Sequence, residues 1–252
     1  MLNNLSIRNT LFQVLVNFDN LSHKSSSRIV ATVDLALSSS RSCKMKVAII
    51  GTGNMASGLA STLARANHNV VIGSRDPAKA AALAEKVGQE SQGGSIAAAT
   101  KLADIVILAI PFGGAADALK EAGDLAGKVL VDISNPISAD YKELVIGHTT
   151  SAAEEIQALA PKANVVKAFN TIFAQLLPSE ARQGKMLQVL IAGDDEAAKS
   201  QVSALAQSMG FEVVNAGPLS NSRFIEPIGE MNIHFGYFLG KGTTVAPAWV
   251  QV

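Results

Sequence analysis

The 252-residue chain contains a single cysteine, Cys43, so no disulfide forms within it. Its four histidines, His23, His68, His148 and His234, lie far apart in sequence and offer no metal-ligand spacing, so no metal is expected. Net charge is absent, 21 cations against 21 anions, which argues against a nucleic-acid partner and against attraction to an anionic membrane surface. No apolar run reaches the roughly 18 residues of a membrane-spanning helix. A catalytic triad and a paired acid and base are missing too, and the catalytic residues stay unassigned. A reducing, cytoplasmic setting follows as the expectation. What is abundant is apolar material, 48% of residues against 17% charged, enough for the core of one or two domains.

Residues 1–44 differ from the rest. The stretch "SHKSSSRIVATVDLALSSSRSCK" is serine-rich and has no sustained period, and Asp19 and Asp34 are outnumbered by basic residues. The segment reads as an unstructured N-terminal extension, either sequence upstream of the true start or an organelle transit peptide. From Met45 onward, apolar runs alternate with helical patterns. "KVAII", "NVVIG", "DIVILAIP" and "KVLVDISNP" read as buried parallel strands, and Asp76-Pro77 opens a helix as cap and first residue. Alternation of this kind implies βαβ units and an α/β fold with a doubly wound, parallel, Rossmann-type sheet over residues 45–145. Three further strand-like runs, "NVVKAFN", "MLQVLIAG" and "FEVVNAG", extend it by a smaller α/β portion over 146–252. The last segment, about 222–239, carries Phe224, Ile228, Met231, Phe235 and Phe238 at 4-3-4-3 spacing, a stripe expected in the core or, as the alternative, in a homodimer seam. Asn232 and His234 beside it are expected to be structural.

The most informative run is Gly51-Thr52-Gly53-Asn54-Met55-Ala56, a G-x-G-x-x-A turn between a predicted strand and a predicted helix. Gly51 permits the tight turn, Gly53 lets a pyrophosphate approach the backbone, and Ala56 lets helix and strand pack closely. About 20 residues further on, an NAD site carries an acid that binds the ribose 2′-OH. Here that acid is missing, and "GSRDPAK" puts Ser74 and Arg75 in its place with Lys79 one turn on. A hydroxyl and a planar guanidinium suit a 2′-phosphate, so the expected cofactor is NADP(H). Ile110-Pro111-Phe112 and Ser134-Asn135-Pro136, at the ends of two strands, are expected at the adenosine or pyrophosphate side and at the nicotinamide end respectively.

The motifs "GTGNM", "GSRDPAK", "AIPF", "KAFNTI" and above all "AGPLSNSRFIE" (216–226) resemble the NADPH-dependent reductases of coenzyme F420, an 8-hydroxy-5-deazaflavin, and their bacterial relatives. The cytosolic domain of six-transmembrane metalloreductases is similar as well. The resemblance implies that Thr52, Asn54 and Met55 contact the phosphates and ribose, that Ser74, Arg75 and Lys79 hold the 2′-phosphate, and that Ile110 and Ala174 lie along the cofactor. It implies an NADP-dependent oxidoreductase with a small-molecule acceptor, coenzyme F420 or a flavin. Archaeal deazaflavin reductases have a histidine where this chain has Asn170, which places Asn170 on the acceptor side. Hydride transfer between stacked rings needs little proton chemistry from the protein; His148 and Glu226 are the candidates for it, each with a structural role as the favoured reading. Two rivals stay open: a dehydrogenase or reductase of a small carbonyl or imine, and a non-catalytic NADPH-binding redox sensor. The first usually adds a long all-helical domain, which the three strand-like runs after Pro136 oppose.

Overall fold

The computed structural model describes residues 44–252; the extension expected over 1–44 lies, apart from Lys44, outside the described residues. The apolar runs form strands β1 (Lys46–Ile50), β2 (Asn69–Gly73), β4 (Ile105–Leu108), β5 (Val129–Asp132), β6 (Asn164–Lys167), β7 (Gln188–Gly193) and β8 (Glu212–Asn215), and a short strand β3 (Gln92–Gly94) joins them. They make one eight-stranded sheet of order β3-β2-β1-β4-β5-β6-β7-β8. From β3 to β6 every pairing is parallel. Then β7 runs antiparallel to β6, with Lys167 opposite Ala192, and β8 runs parallel to β7. The C-terminal portion therefore continues the same sheet with its direction reversed.

Helices cover both faces, which is why β1 and β4 are apolar at nearly every position. Val47, Ile49, Ile105 and Ile107 point into one layer with α1 (Asn54–Arg65), α2 (Pro77–Val87) and α6 (Glu196–Ser208). Ala48, Ile50, Val106 and Leu108 point into the other with α3 (Ile96–Leu102), α4 (Ala115–Ala122) and α5 (Ala152–Leu159). In α1, Leu59 and Leu63 are fully buried, a contribution of about 1.5–3 kcal/mol each. Small Ala56 and Ala60 sit beside them, as the motif requires. Asp76 caps α2 by accepting from the amides of Ala78 and Lys79, with Pro77 at the first helical position. Sequence patterning passes over β3 because two of its three residues are glycine; α2 lies so close that a Cβ on Gly93 would stand 2.3 Å from the Ala80 carbonyl oxygen.

One expectation needs correction. The last helix, α7 (Ser222–Ile233), continues into a π-turn at His234–Phe238, and its apolar stripe stays out of the core except at Ile228, which packs half-buried against Leu190, Ala192 and Ile225. Phe224 is 69% exposed and Met231 45%, with Phe235 and Phe238 also exposed. The buried face instead carries Ser222, Ile225, Glu226, Gly229, Glu230 and Asn232. The helix is anchored through polar groups, and hydrophobic spacing alone gives the wrong face.

Candidate active site

The strand order reverses between β1 and β4, and in such a sheet ligands bind beyond the carboxyl ends of the strands at that switch point. The Gly51–Ala56 motif places a turn against a phosphate there. Gly51 has φ +126°, and a Cβ on it would lie 2.4 Å from the Ala109 carbonyl oxygen, so only glycine fits. Above Gly53 a Cβ would meet nothing within 4 Å, which leaves open space over the backbone. As N-cap of α1, Gly53 supplies no side-chain bond, so the first-turn amides keep their donors for an anion. Gly51 and Thr52 share a cavity of about 340 Å³ with Ser74, Arg75, Ile110 and Pro111. Edge strand β3 fixes that end, since the Ser74 amide donates to the Gly94 carbonyl at 3.1 Å. Arg75 makes no ion pair among the described residues. Lys79 stands outside the cavity wall, exposed and 3.9 Å from the Asp76 carboxylate. That carboxylate turns to its own helix, as the capping pattern predicts.

Two further cavities continue the cleft. Ile110, Pro111 and Phe112 pass into one of about 570 Å³ with Ser134, Asn135 and Tyr141. Asn135 and Tyr141 in turn border one of about 240 Å³, where Asn54 and Met55 meet Phe169, Asn170, Ala174, Gly229 and Tyr237. Strand β6 delivers Asn170 through Phe169, whose φ of +59° is rare for a bulky residue. Asn170 is buried and lies in a fixed amide network. Its Nδ2 donates to Asn135 Oδ1 at 2.8 Å and to the Ile225 carbonyl at 3.1 Å, and Asn135 Nδ2 donates back to the Asn170 carbonyl at 3.0 Å. Helix α7 roofs this pair at Gly229, where a Cβ would stand 2.5 Å from Asn135 Oδ1. Asn170 Oδ1, Thr171 Oγ1 and Ser134 Oγ are buried without a partner. Phe173 packs edge-on against Tyr237, ring centroids 5.7 Å apart, and completes an aromatic wall.

Behind the cleft lies a charge cluster that sequence patterning does not reveal. Lys167, fully buried at the end of β6, places Nζ 2.6 Å from Asp132 Oδ2, 2.7 Å from Glu226 Oε1 and 2.6 Å from the Ser134 carbonyl. Glu226 also accepts from the amides of Ala152 and Ala153 at the start of α5. Burial pushes the Glu226 carboxyl up from its ordinary value, and Lys167 pulls it part of the way back. Every Lys167 donor is used, so the cluster braces the Ser134–Asn135 loop and α7 rather than presenting a free acid. The one signal for it is a charged residue closing each of two apolar runs, "VLVD" and "NVVK". His148 sits exposed in a turn at φ +60° and borders none of the three cavities. Both proton-transfer candidates thus stand apart from the cleft wall. Asn232 donates to the Thr171 carbonyl, a structural bond beside the cavity, and His234 pairs with Glu230 on its own helix.

A glycine turn and a guanidinium on one cavity, with the uncapped start of α1 on another beside amide and aromatic walls, fit a phosphorylated dinucleotide laid across the switch point. The fold and cleft together define the Rossmann-type, dinucleotide-linked oxidoreductases. A sequence model described as "NADP oxidoreductase coenzyme F420-dependent" matches residues 46–136. The F420-dependent NADP reductase of Methanocaldococcus jannaschii is 31% identical over 218 residues, 80% of this chain and 97% of that one. A solved structure from Arthrobacter sp. FB24, described as a candidate F420-dependent NADP reductase, superposes with a TM-score of 0.75 at 30% identity, covering 82% of this chain and all of that one. The chain belongs to the F420-dependent NADP reductase family. Metalloreductase STEAP3 of Rattus norvegicus is 37% identical over 183 residues, 73% of this chain, yet the match spans only 36% of that longer protein. Among the described residues no helix is long and apolar enough to cross a membrane, and no cluster of three or more metal-ligating side chains occurs.

Proposed function

We propose that the chain binds NADP(H) along this cleft and passes hydride between it and a planar flavin-like or deazaflavin acceptor. The observation that carries the reading is the shared cavity at the β1 and β2 ends, where Ser74 and Arg75 stand beside the Gly51–Thr52 turn with no acid at the second strand end. In this reading the amides of the turn and of Asn54 and Met55 hold the pyrophosphate, Ser74 and Arg75 take the 2′-phosphate with Lys79 as a second cation nearby, and Ile110 and Pro111 flank the adenosine-side ribose. Asn135 and Ala174 lie toward the nicotinamide, and Asn170 toward the acceptor. When bound, NADPH supplies the hydride. The chain's own contribution is to hold two planar rings together between the Phe169–Ala174 loop and α7 and to shield them from water. The brace of Lys167, Asp132 and Glu226 keeps those two walls in register. The F420-dependent NADP reductases among its relatives support a deazaflavin acceptor; Asn170, in place of the archaeal histidine, counts against a deazaflavin and in favour of a flavin. The apolar stripe of α7 supports a second copy of the chain as its cover. The test is NADPH oxidation, followed by loss of its near-ultraviolet absorbance, against coenzyme F420, FMN, FAD, ferric chelates and quinones. Turnover with a flavin or deazaflavin is expected. Tight NADPH binding with no turnover would favour the redox-sensor reading.

A further inference from the structure

The hydrogen atoms of the Asn135–Asn170 pair can be assigned without ambiguity. The Ile225 carbonyl only accepts, so the Asn170 atom facing it is Nδ2, and its second hydrogen goes to Asn135 Oδ1. The Asn170 carbonyl likewise only accepts, so it fixes Asn135 Nδ2. Two atoms are left over. Asn170 Oδ1 is a buried acceptor with no donor. Asn135 Nδ2 has a second hydrogen, on a residue that stands partly exposed in the wall shared by two cavities. One donor and one acceptor therefore remain on a pair of residues joined by two hydrogen bonds. An orphaned buried acceptor is destabilising, and the cost disappears when a ligand brings an N–H. Gly229 is what allows the arrangement, since any side chain there would collide with both asparagines.

Resting on the reading of the cleft as the dinucleotide and acceptor site, we propose that Asn135 and Asn170 form an amide-reading edge. It takes a planar ligand group that presents a carbonyl and an N–H on neighbouring positions. The carbonyl accepts from Asn135 Nδ2 and the N–H donates to Asn170 Oδ1. Because Oδ1 is screened from water, this contact goes with a small outward shift of α7 at Gly229. Two sources carry that chemistry: the carboxamide of a nicotinamide and the imide of a flavin or deazaflavin ring. Specificity at this edge is a matter of hydrogen bonding rather than charge, so ligands that lack the N–H are rejected.

Equilibrium binding to the full chain separates the sources. The dinucleotide arm compares NADP with its 3-acetylpyridine analogue, in which the amide NH2 is replaced by methyl. The flavin arm compares riboflavin with 3-methylriboflavin by fluorescence quenching. The wild-type chain should bind the N–H partner about tenfold more tightly in one arm, roughly 1.4 kcal/mol, and that arm names the source. Asn170→Ala should bring the ratio in that arm to within about twofold. Asn170→Ala should bind 2′,5′-ADP as the wild type does, within about twofold, which reports an intact fold at the far end of the cleft. Equal affinities in both arms for the wild type would overturn the proposal, and so would a ratio that survives Asn170→Ala. Failure of 2′,5′-ADP to bind the wild-type chain would contradict the NADP reading, while the flavin arm would still decide the amide edge.

Discussion

In the proposed reading Arg75 takes the place of the acid of NAD-linked sites, with the opposite charge. It stands on the cavity of the phosphate turn and makes no ion pair among the described residues, so its guanidinium is available for a dianionic 2′-phosphate. Charge-assisted hydrogen bonds contribute roughly 1.5–3 kcal/mol each. Arg75→Ala should therefore weaken NADPH binding by about 10- to 150-fold, at about 1.4 kcal/mol per decade, and leave NADH binding nearly unchanged. Titration calorimetry with both cofactors measures this; equal losses would remove Arg75 from the 2′-phosphate. At this scale the sequence was legible where backbone geometry forces residue choice. Gly51, with positive φ and a carbonyl 2.4 Å from any Cβ, could be read directly. Asp76 could be read as a cap from its place before Pro77. Gly229 could not: its requirement comes from Asn135 and Asn170, far away in sequence and brought under α7 only by the fold.

Helix α7 shows where pattern reading fails for an element. Hydrophobic spacing assigns Phe224, Met231 and Phe235 to the buried side, yet the helix docks by Glu226 on Lys167 and by Arg223 on Glu154. Glu154 stands at the capped start of α5: the Ser151 hydroxyl accepts from the Glu154 amide and donates to its carboxylate at 2.8 Å. The Arg223 guanidinium, followed by the Ser151 hydroxyl, holds the Glu154 carboxyl below its ordinary value of 4.5 despite partial burial. A depressed carboxylate contributes stability that is fully present above the unfolded value and is lost as pH falls through the folded one. The melting temperature should thus decline as pH drops below about 4.5. In Arg223→Ala part of that decline should vanish because the stability is already missing at neutral pH. Parallel melting curves for the two proteins across pH 3–7 would contradict the α5–α7 link. The same hidden logic applies to β3, whose glycines carry no strand signal but let α2 lie on the sheet.

For the molecule as a whole, parallel strands, their helices and the switch-point cleft followed from the alternation of apolar runs with helical patterns, while the reversal of β7 and β8 did not. Nothing local in "MLQVLIAG" distinguishes a parallel from an antiparallel neighbour; the crossover between β6 and β7 decides it. Exposed Phe224, Met231, Phe235 and Phe238 on one helix and its π-turn make an apolar surface that a second copy would cover. Sedimentation should give a dimer, and Met231→Glu should shift it to a monomer at micromolar concentration. A monomeric wild-type chain would sink that expectation and leave the cleft untouched. Direct hydride transfer between two rings held in the cleft underlies the proposed function. The measurement that bears on it most closely uses NADPH carrying two deuterium atoms at C4 of the nicotinamide, so that either face delivers the label, and 5-deazariboflavin as acceptor, because a hydride received at carbon C5 does not exchange with water. Mass spectrometry of the product should show reduced deazaflavin carrying deuterium from NADPH. Reduced deazaflavin without the label, or NADPH bound but never oxidised, would contradict the account.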